Sequence, residues 1–135
     1  MTNDTQTQDR VRRGFETATK LFEGSPSLPN FPAPAEIAAD WTALSVGTVM
    51  GDVWSRPGLD VKYRAVASIA SLVALNRPDQ LRVYTDIGLN VGLTRAEICE
   101  VVMQSAVYAG FPAAIDGLRV LHEVFTQRDE MASHA

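Results

Sequence analysis

A chain of 135 residues that is 46% hydrophobic and 21% charged has the composition of a globular protein, and its length predicts one domain with a substantial core. Its formal net charge of −4 argues against the basic surface that nucleic-acid binding usually requires. One cysteine excludes an intrachain disulfide, and no uninterrupted apolar run reaches the roughly 18–20 residues of a membrane span. The polar N-terminus lacks the order of a signal peptide, so we expect a cytoplasmic location.

The first part of the chain predicts two helices separated by a loop. Residues 1–9 are polar and predict a disordered tail. Apolar residues at helical spacing predict a helix over residues 11–22. Four prolines between positions 26 and 34 predict a loop, because proline removes an amide donor and fixes φ. A second helix is predicted over residues 34–53, and Arg56-Pro57-Gly58-Leu59 predicts a turn after it.

Three further helix starts carry local signals. Asp60 suits the N-cap of a helix that continues to Leu75 and is apolar around most of its circumference, as expected of a central buried helix. Pro78 suits the first turn of the next helix. Thr94 and Glu97 fit a capping box, in which hydroxyl and carboxylate each accept from the other's amide. We therefore expect helices to begin at all three places.

The last part of the chain predicts one more helix and completes the fold class. Gly110 and Pro112 interrupt the helical pattern, and a final helix is predicted over residues 112–127. Residues 129–135 are expected to form a C-terminal tail. No segment shows the alternation of apolar and polar residues that a half-buried strand needs. The sequence thus predicts an all-α protein with six to seven helices.

Two segments of the sequence have a specific order of residues. They are Gly51-Asp52-Val53-Trp54-Ser55-Arg56-Pro57-Gly58-Leu59 and Met103-Gln104-Ser105-Ala106-Val107-Tyr108-Ala109-Gly110-Phe111-Pro112-Ala113-Ala114. Together they resemble the γ-carboxymuconolactone decarboxylase family, which is related to alkylhydroperoxidase D. The resemblance covers residues 10–128, which we expect to form the family domain.

The resemblance implies a compact helical protomer that assembles into ring-like homo-oligomers, as a trimer or a hexamer. It also implies decarboxylation of 4-carboxymuconolactone, a small molecule, without a metal or an organic cofactor. This reaction needs groups that stabilise the electron density left when carbon dioxide departs, and an acid that delivers a proton to carbon. The expected partners are therefore the substrate and further copies of the chain, and not nucleic acid or a membrane.

The resemblance also identifies catalytic candidates and a departure from the family pattern. Where the family has Glu-Leu-x-x-His, this chain has Gln80 and Tyr84 in place of the glutamate and the histidine, and a second family histidine falls at Thr48. Tyrosine can donate a proton or a hydrogen bond, but its pKa of about 10 makes it a poor base at neutral pH. We predict Tyr84 and Arg64 as catalytic residues. The alternative for Tyr84 is a core tyrosine.

Five residues are predicted to bind the substrate, and the arginine and the two aromatic residues among them have structural alternatives. The guanidinium group of Arg56, like that of Arg64, can bind a carboxylate or enolate, or can form a surface ion pair with Asp52 or Asp60. Asp52 is itself interpreted as a residue that orients the turn. Trp54 and Tyr108 can each line a pocket, or can pack as aromatic residues inside the protein or at an interface. The predicted substrate-binding residues are Thr48, Trp54, Arg56, Gln104 and Tyr108.

Cys99 and His122 receive structural interpretations. Alkylhydroperoxidase D needs two cysteines in a Cys-x-x-Cys pair, so the single Cys99 excludes that activity as a self-contained mechanism. His122 is interpreted as a residue on the surface of the final helix. No spacing of histidines, cysteines or carboxylates predicts a metal site.

Three functions remain open from the sequence. The first is a divergent enzyme of this family that acts on a lactone, aromatic or polyketide-type molecule by decarboxylation or by ring opening or closing. The second is a non-catalytic oligomeric binding protein on the same scaffold. The third is an ordinary 4-carboxymuconolactone decarboxylase whose acid has moved to Tyr84 or another residue.

Overall fold

The computed structural model describes residues 3–134, and every regular element within them is helical. This confirms the predicted all-α class, with six α-helices and one π-helical segment among the described residues. None of these helices is long and apolar enough to cross a membrane. The elements are α1 (Asn3–Leu21), α2 (Ala38–Ser45), the π segment (Val46–Trp54), α3 (Val61–Ala74), α4 (Pro78–Asn90), α5 (Arg95–Ala109) and α6 (Phe111–Ser133).

The described residues form two compact units. The first unit contains residues 3–23 and 28–59, and the second contains residues 24–27 and 60–134. Chain length predicted a single domain. The expectation of one family domain over residues 10–128 stays a prediction.

The first unit is built on the packing of α1 against the π segment. Two buried glycines allow the helices to approach: a Cβ at Gly14 would overlap the carbonyl oxygen of Val46, and one at Gly51 would overlap that of Arg10. Ion pairs reinforce this packing, because Asp52 accepts from Arg10 Nε at 2.9 Å and from Arg13 Nη2 at 3.1 Å. Close backbone contact and a shared carboxylate thus hold the unit together.

Both predicted helices of the first unit differ from the observed ones at their ends. The tail predicted for residues 1–9 is helical from Asn3 onward, and Met1 and Thr2 lie outside the described residues. Asp4 in the first turn of α1 favours this start, because a negative charge complements the helix dipole. The helix predicted over residues 34–53 begins at Ala38 and widens into π geometry at Val46, which helical periodicity alone does not reveal.

The core of the second unit lies on one face of α3. Ala65, Ile69 and Val73 are buried at helical spacing, and they pack with buried residues of the neighbouring helices. The other faces of α3 are open, since Tyr63 is 66% exposed and Ala67 and Ser71 are exposed as well. The prediction of a helix buried around most of its circumference was therefore wrong. The core partners of α3 are Leu81, Ile87, Ile98, Val102, Val120, Leu121 and Val124.

The local signals for helix starts in the second unit are confirmed. Asp60 accepts from the Lys62 amide at 2.9 Å, and Pro78 occupies the first turn of α4. Thr94 and Glu97 form the capping box, with amide-to-oxygen distances of 2.9 and 3.0 Å. These caps fix where α3, α4 and α5 begin.

The final helix extends beyond its predicted end at residue 127. It continues to Ser133, through most of the segment predicted as a C-terminal tail, while Ala135 lies outside the described residues. Two ion pairs anchor this extension: Arg128 Nε lies 2.7 Å from Asp86 Oδ1, and Arg95 Nη2 lies 2.7 Å from Asp129 Oδ1. Contacts that are distant in sequence order the end of the helix, so local periodicity could not predict it.

We predict that Gly51→Ala lowers the free energy of unfolding by about 1–3 kcal/mol, because the added methyl would overlap the Arg10 carbonyl oxygen in a tightly packed site. Urea denaturation followed by circular dichroism would measure the change. Gly58→Ala is the control, since no atom lies within 4 Å of a Cβ built there. Equal stability of the two variants would contradict the close approach of α1 and the π segment.

A second prediction concerns acid sensitivity. The hydrogen bond from Arg10, with a further one from Arg13, lowers the pKa of Asp52. Ionised Asp52 therefore stabilises the fold above the carboxyl's unfolded pKa, and this contribution is lost as pH falls through its lower folded pKa. We expect the stability difference between native protein and Asp52→Asn to shrink between pH 7 and pH 3. A difference independent of pH would contradict this, and Asp40→Asn on exposed α2 is the control.

Candidate functional site

A cleft between α3 and α4, the Tyr84 cleft, contains the main catalytic candidate. Ser68 and Ser71 contribute from α3, and Gln80 and Tyr84 contribute from α4. Each pair shares a helix face, because residues three or four apart lie above one another. The cavity measures about 410 Å³. Its lining residues, which are all uncharged at neutral pH, are Ala67, Ser68, Ser71, Leu72, Gln80 and Tyr84.

Tyr84 lines this cleft as a half-buried residue. Burial raises the pKa of its phenol above the ordinary value, because the charged phenolate is disfavoured away from water. The side chain therefore keeps its proton at neutral pH and can donate a hydrogen bond. Little phenolate is therefore present at neutral pH to act as a base.

Arg64 lies close to the Tyr84 cleft along the chain but is not one of its lining residues. It is half-buried on α3, one turn before Ser68, and helical spacing puts the two residues on the same side of α3. Arg64 thus lies near the cleft but does not line it.

A larger cavity, the α3–α5 groove, contains two of the predicted substrate-binding residues. Gln104 and Tyr108 line this groove, which measures about 630 Å³, and Tyr108 is 83% exposed. The groove and the Tyr84 cleft use different faces of α3, so the structure does not unite Tyr84 with Gln104 and Tyr108 in one cavity. The groove is lined by Val66, Ala70, Ala74, Glu100, Val101, Gln104, Ser105, Tyr108 and Ala109.

The other three predicted substrate-binding residues belong to the first unit. Thr48 is exposed, and its hydroxyl accepts from Arg10 Nη2 at 3.2 Å. Trp54 is buried, with 6% of its surface exposed, so it is a core residue of this unit. Arg56 is exposed in the turn after the π segment. The substrate-binding roles of these three residues stay predictions.

The structure also identifies residues that the sequence interpretation missed. Asp52 pairs with Arg10 and Arg13, whereas the sequence interpretation named Arg56 and Arg64 as its possible ion-pair partners. Ser68 and Ser71 are polar residues in a mostly apolar helix, and they line the Tyr84 cleft. Their spacing of three residues in a helix that is mostly apolar was the available signal, because it puts two hydroxyls on one face.

Cys99 and His122 lie apart from both cavities. Cys99 is half-buried on α5, and His122 is exposed on α6, as its interpretation predicted. Within residues 3–134, no group of three or more histidines, cysteines or carboxylates is arranged to hold a metal ion.

Comparison with known proteins identifies a family profile that matches the chain and proteins that are similar to it in sequence. The profile of the carboxymuconolactone decarboxylase family matches residues 39–123. A 4-carboxymuconolactone decarboxylase of Acinetobacter baylyi is 41% identical over 118 residues, which cover 87% of this chain and 88% of that protein. The nitrosuccinic acid decarboxylase npaB of Metarhizium robertsii is 30% identical, over 89% of this chain and 87% of that protein.

A third relative has no assigned activity. An uncharacterized 15.0 kDa protein of Paracoccus denitrificans, from the nqo9–nqo10 intergenic region, is 29% identical over 93% of this chain and 90% of its own length. The family match covers more than half of the chain, and the first relative exceeds 30% identity over most of both sequences. The chain therefore belongs to the carboxymuconolactone decarboxylase family.

Proposed function

We propose that this chain is a decarboxylase that removes carbon dioxide from a small carboxylated substrate in the Tyr84 cleft, without a metal or organic cofactor. One observation carries the proposal: two relatives, 41% and 30% identical, have names with different substrates but the same reaction. The reaction is thus the property that similarity to both of them supports.

A lactone is the substrate class that we favour among lactones, aromatic molecules and polyketide-type molecules. The relative with 41% identity has 4-carboxymuconolactone in its name. The cleft volume of about 410 Å³ suits a small ligand, since ligand cavities commonly measure roughly 300–1,000 Å³. A relocated acid, as in the third function left open by the sequence, fits the presence of Tyr84 in this cleft.

The proposed mechanism assigns one task to each of two residues. Loss of carbon dioxide breaks a carbon–carbon bond and leaves its electron pair on the substrate as a carbanion or enolate. Arg64, which neighbours the cleft on α3 without lining it, extends toward the bound substrate and holds its carboxylate before the bond breaks. The neutral phenol of Tyr84 then transfers a proton to the carbanion carbon, and the phenolate takes a proton from water to restore the enzyme. The raised pKa of Tyr84 favours this return to the protonated form.

We predict that Tyr84→Phe lowers kcat for 4-carboxymuconolactone by roughly 10²–10⁴-fold, because the variant keeps the ring but loses the acid. The loss of lactone absorbance and the release of carbon dioxide would measure turnover. Tyr63→Phe is the matched control, since Tyr63 is exposed on α3 and lines neither cavity.

The outcomes separate the alternatives. Full activity in Tyr84→Phe would remove Tyr84 from the mechanism. Native protein that releases no carbon dioxide from either 4-carboxymuconolactone or nitrosuccinic acid would contradict the proposed function. That result would favour the non-catalytic binding protein.

We also propose that the chain assembles into a homo-oligomer, as a trimer or a hexamer. A set of large apolar side chains on α5 and α6, the apolar strip, is exposed on the second unit. Exposed apolar surface of this extent is typical of an interface between protein chains. The apolar strip consists of Met103, Val107, Tyr108, Phe111, Ile115 and Leu118, whose exposed fractions range from 40% to 83%.

We expect Ile115→Glu to reduce the mass of the assembly, because a buried unpaired carboxylate would oppose association through the apolar strip. Size-exclusion chromatography with light scattering would measure the mass. Thr126→Glu, which adds the same charge at an exposed position further along α6, should leave it unchanged. A native protein that is monomeric at micromolar concentration would refute the proposed oligomer.

A further inference from the structure

Two side chains of the Tyr84 cleft, Ser68 and Gln80, make no hydrogen bond within the described residues. The third polar side chain from α3 is different, because Ser71 Oγ donates to the Ala67 carbonyl at 2.8 Å, as hydroxyls in helices often do. Since the Ser68 hydroxyl and the Gln80 carboxamide lie on facing helices, both are available to a ligand in the cleft.

Gln80 presents uncharged hydrogen-bond donors to the Tyr84 cleft. Its side chain is exposed and lines the cleft from the first turn of α4. The carboxylate of Asp79 in the same turn already offsets the positive end of the helix dipole, so the helix end itself selects no ligand. The carboxamide N–H groups, in contrast, suit an uncharged oxygen acceptor.

We propose that Gln80 is a specificity-determining residue. Its carboxamide, together with the Ser68 hydroxyl, binds an uncharged carbonyl, ester or nitro oxygen of the substrate. This inference rests on the proposed function, because it takes the Tyr84 cleft as the substrate site. The substrate class is thus a small carboxylate that also carries an uncharged oxygen acceptor. A glutamate at this position would present acceptor oxygens and a negative charge to the same oxygen, and would oppose binding.

Binding of an unreactive probe tests this inference. The probe is 2(5H)-furanone, a neutral lactone ring with one carbonyl group, titrated into isotope-labelled protein and followed by backbone amide shifts. In the native protein we expect the shifts to centre on Ser68, Gln80 and Tyr84. The variants Gln80→Glu and Ser68→Ala should each weaken binding by roughly three- to tenfold, which is the loss expected for one hydrogen bond.

The matched control is Gln127→Glu, which makes the same chemical change at an exposed position of α6. It should bind furanone as tightly as the native protein does. Equal affinity of Gln80→Glu and Gln127→Glu would overturn the proposal, and so would shifts that lie outside the cleft. The unfolding temperature of each variant checks that the cleft is still folded.

The same variants separate this inference from the proposed function. If native protein releases no carbon dioxide from either 4-carboxymuconolactone or nitrosuccinic acid but Gln80→Glu loses furanone affinity, the proposed reaction fails and the binding role of Gln80 stands. If native protein turns over the lactone and Gln80→Glu leaves both KM and furanone affinity unchanged, the role of Gln80 fails and the reaction stands.

Discussion

The close packing of α3 against two glycines is the constraint on which the second unit depends. A Cβ at Gly88 of α4 would lie 3.2 Å from Ile69 Cδ1, and one at Gly117 of α6 would lie 3.1 Å from Val73 Cγ2. Larger residues at either position would displace the buried face of α3, since a packed interior tolerates little extra volume. The glycines thus fix how near α4 and α6 approach, and with it the position of Tyr84.

This packing leaves the other faces of α3 open and gives them different chemistry. One face contributes two hydroxyls to the Tyr84 cleft, and another contributes only Val66, Ala70 and Ala74 to the α3–α5 groove. The uncharged Tyr84 cleft suits a small oxygen-bearing substrate, whereas the α3–α5 groove shares Tyr108 with the apolar strip and so adjoins the surface proposed for contact with another chain. One helix therefore separates the surface proposed for chemistry from the surface proposed for assembly.

Local sequence patterns predicted where helices begin, but they could not predict features that depend on contacts between residues distant in sequence. The capping box at Thr94 and the N-cap at Asp60 depend on residues a few positions apart, so the sequence contains the whole signal. The extension of α6 depends on Arg128 meeting Asp86, 42 residues earlier, which no local pattern encodes. Likewise, the family motif identified Gln80 and Tyr84, but only the packing of α3 and α4 shows Ser68 beside them.

The contacts of Arg128 have a consequence for the order of folding. Arg128 Nη2 donates to Asn90 Oδ1 at 2.7 Å, and Asn90 Nδ2 donates to Ser25 Oγ at 2.9 Å across 65 residues of chain. Closing so long a loop costs more entropy than pairing neighbouring helices such as α5 and α6. Residues 24–27 are thus expected to join the second unit last, and to be the first part of it to exchange its amide hydrogens with solvent.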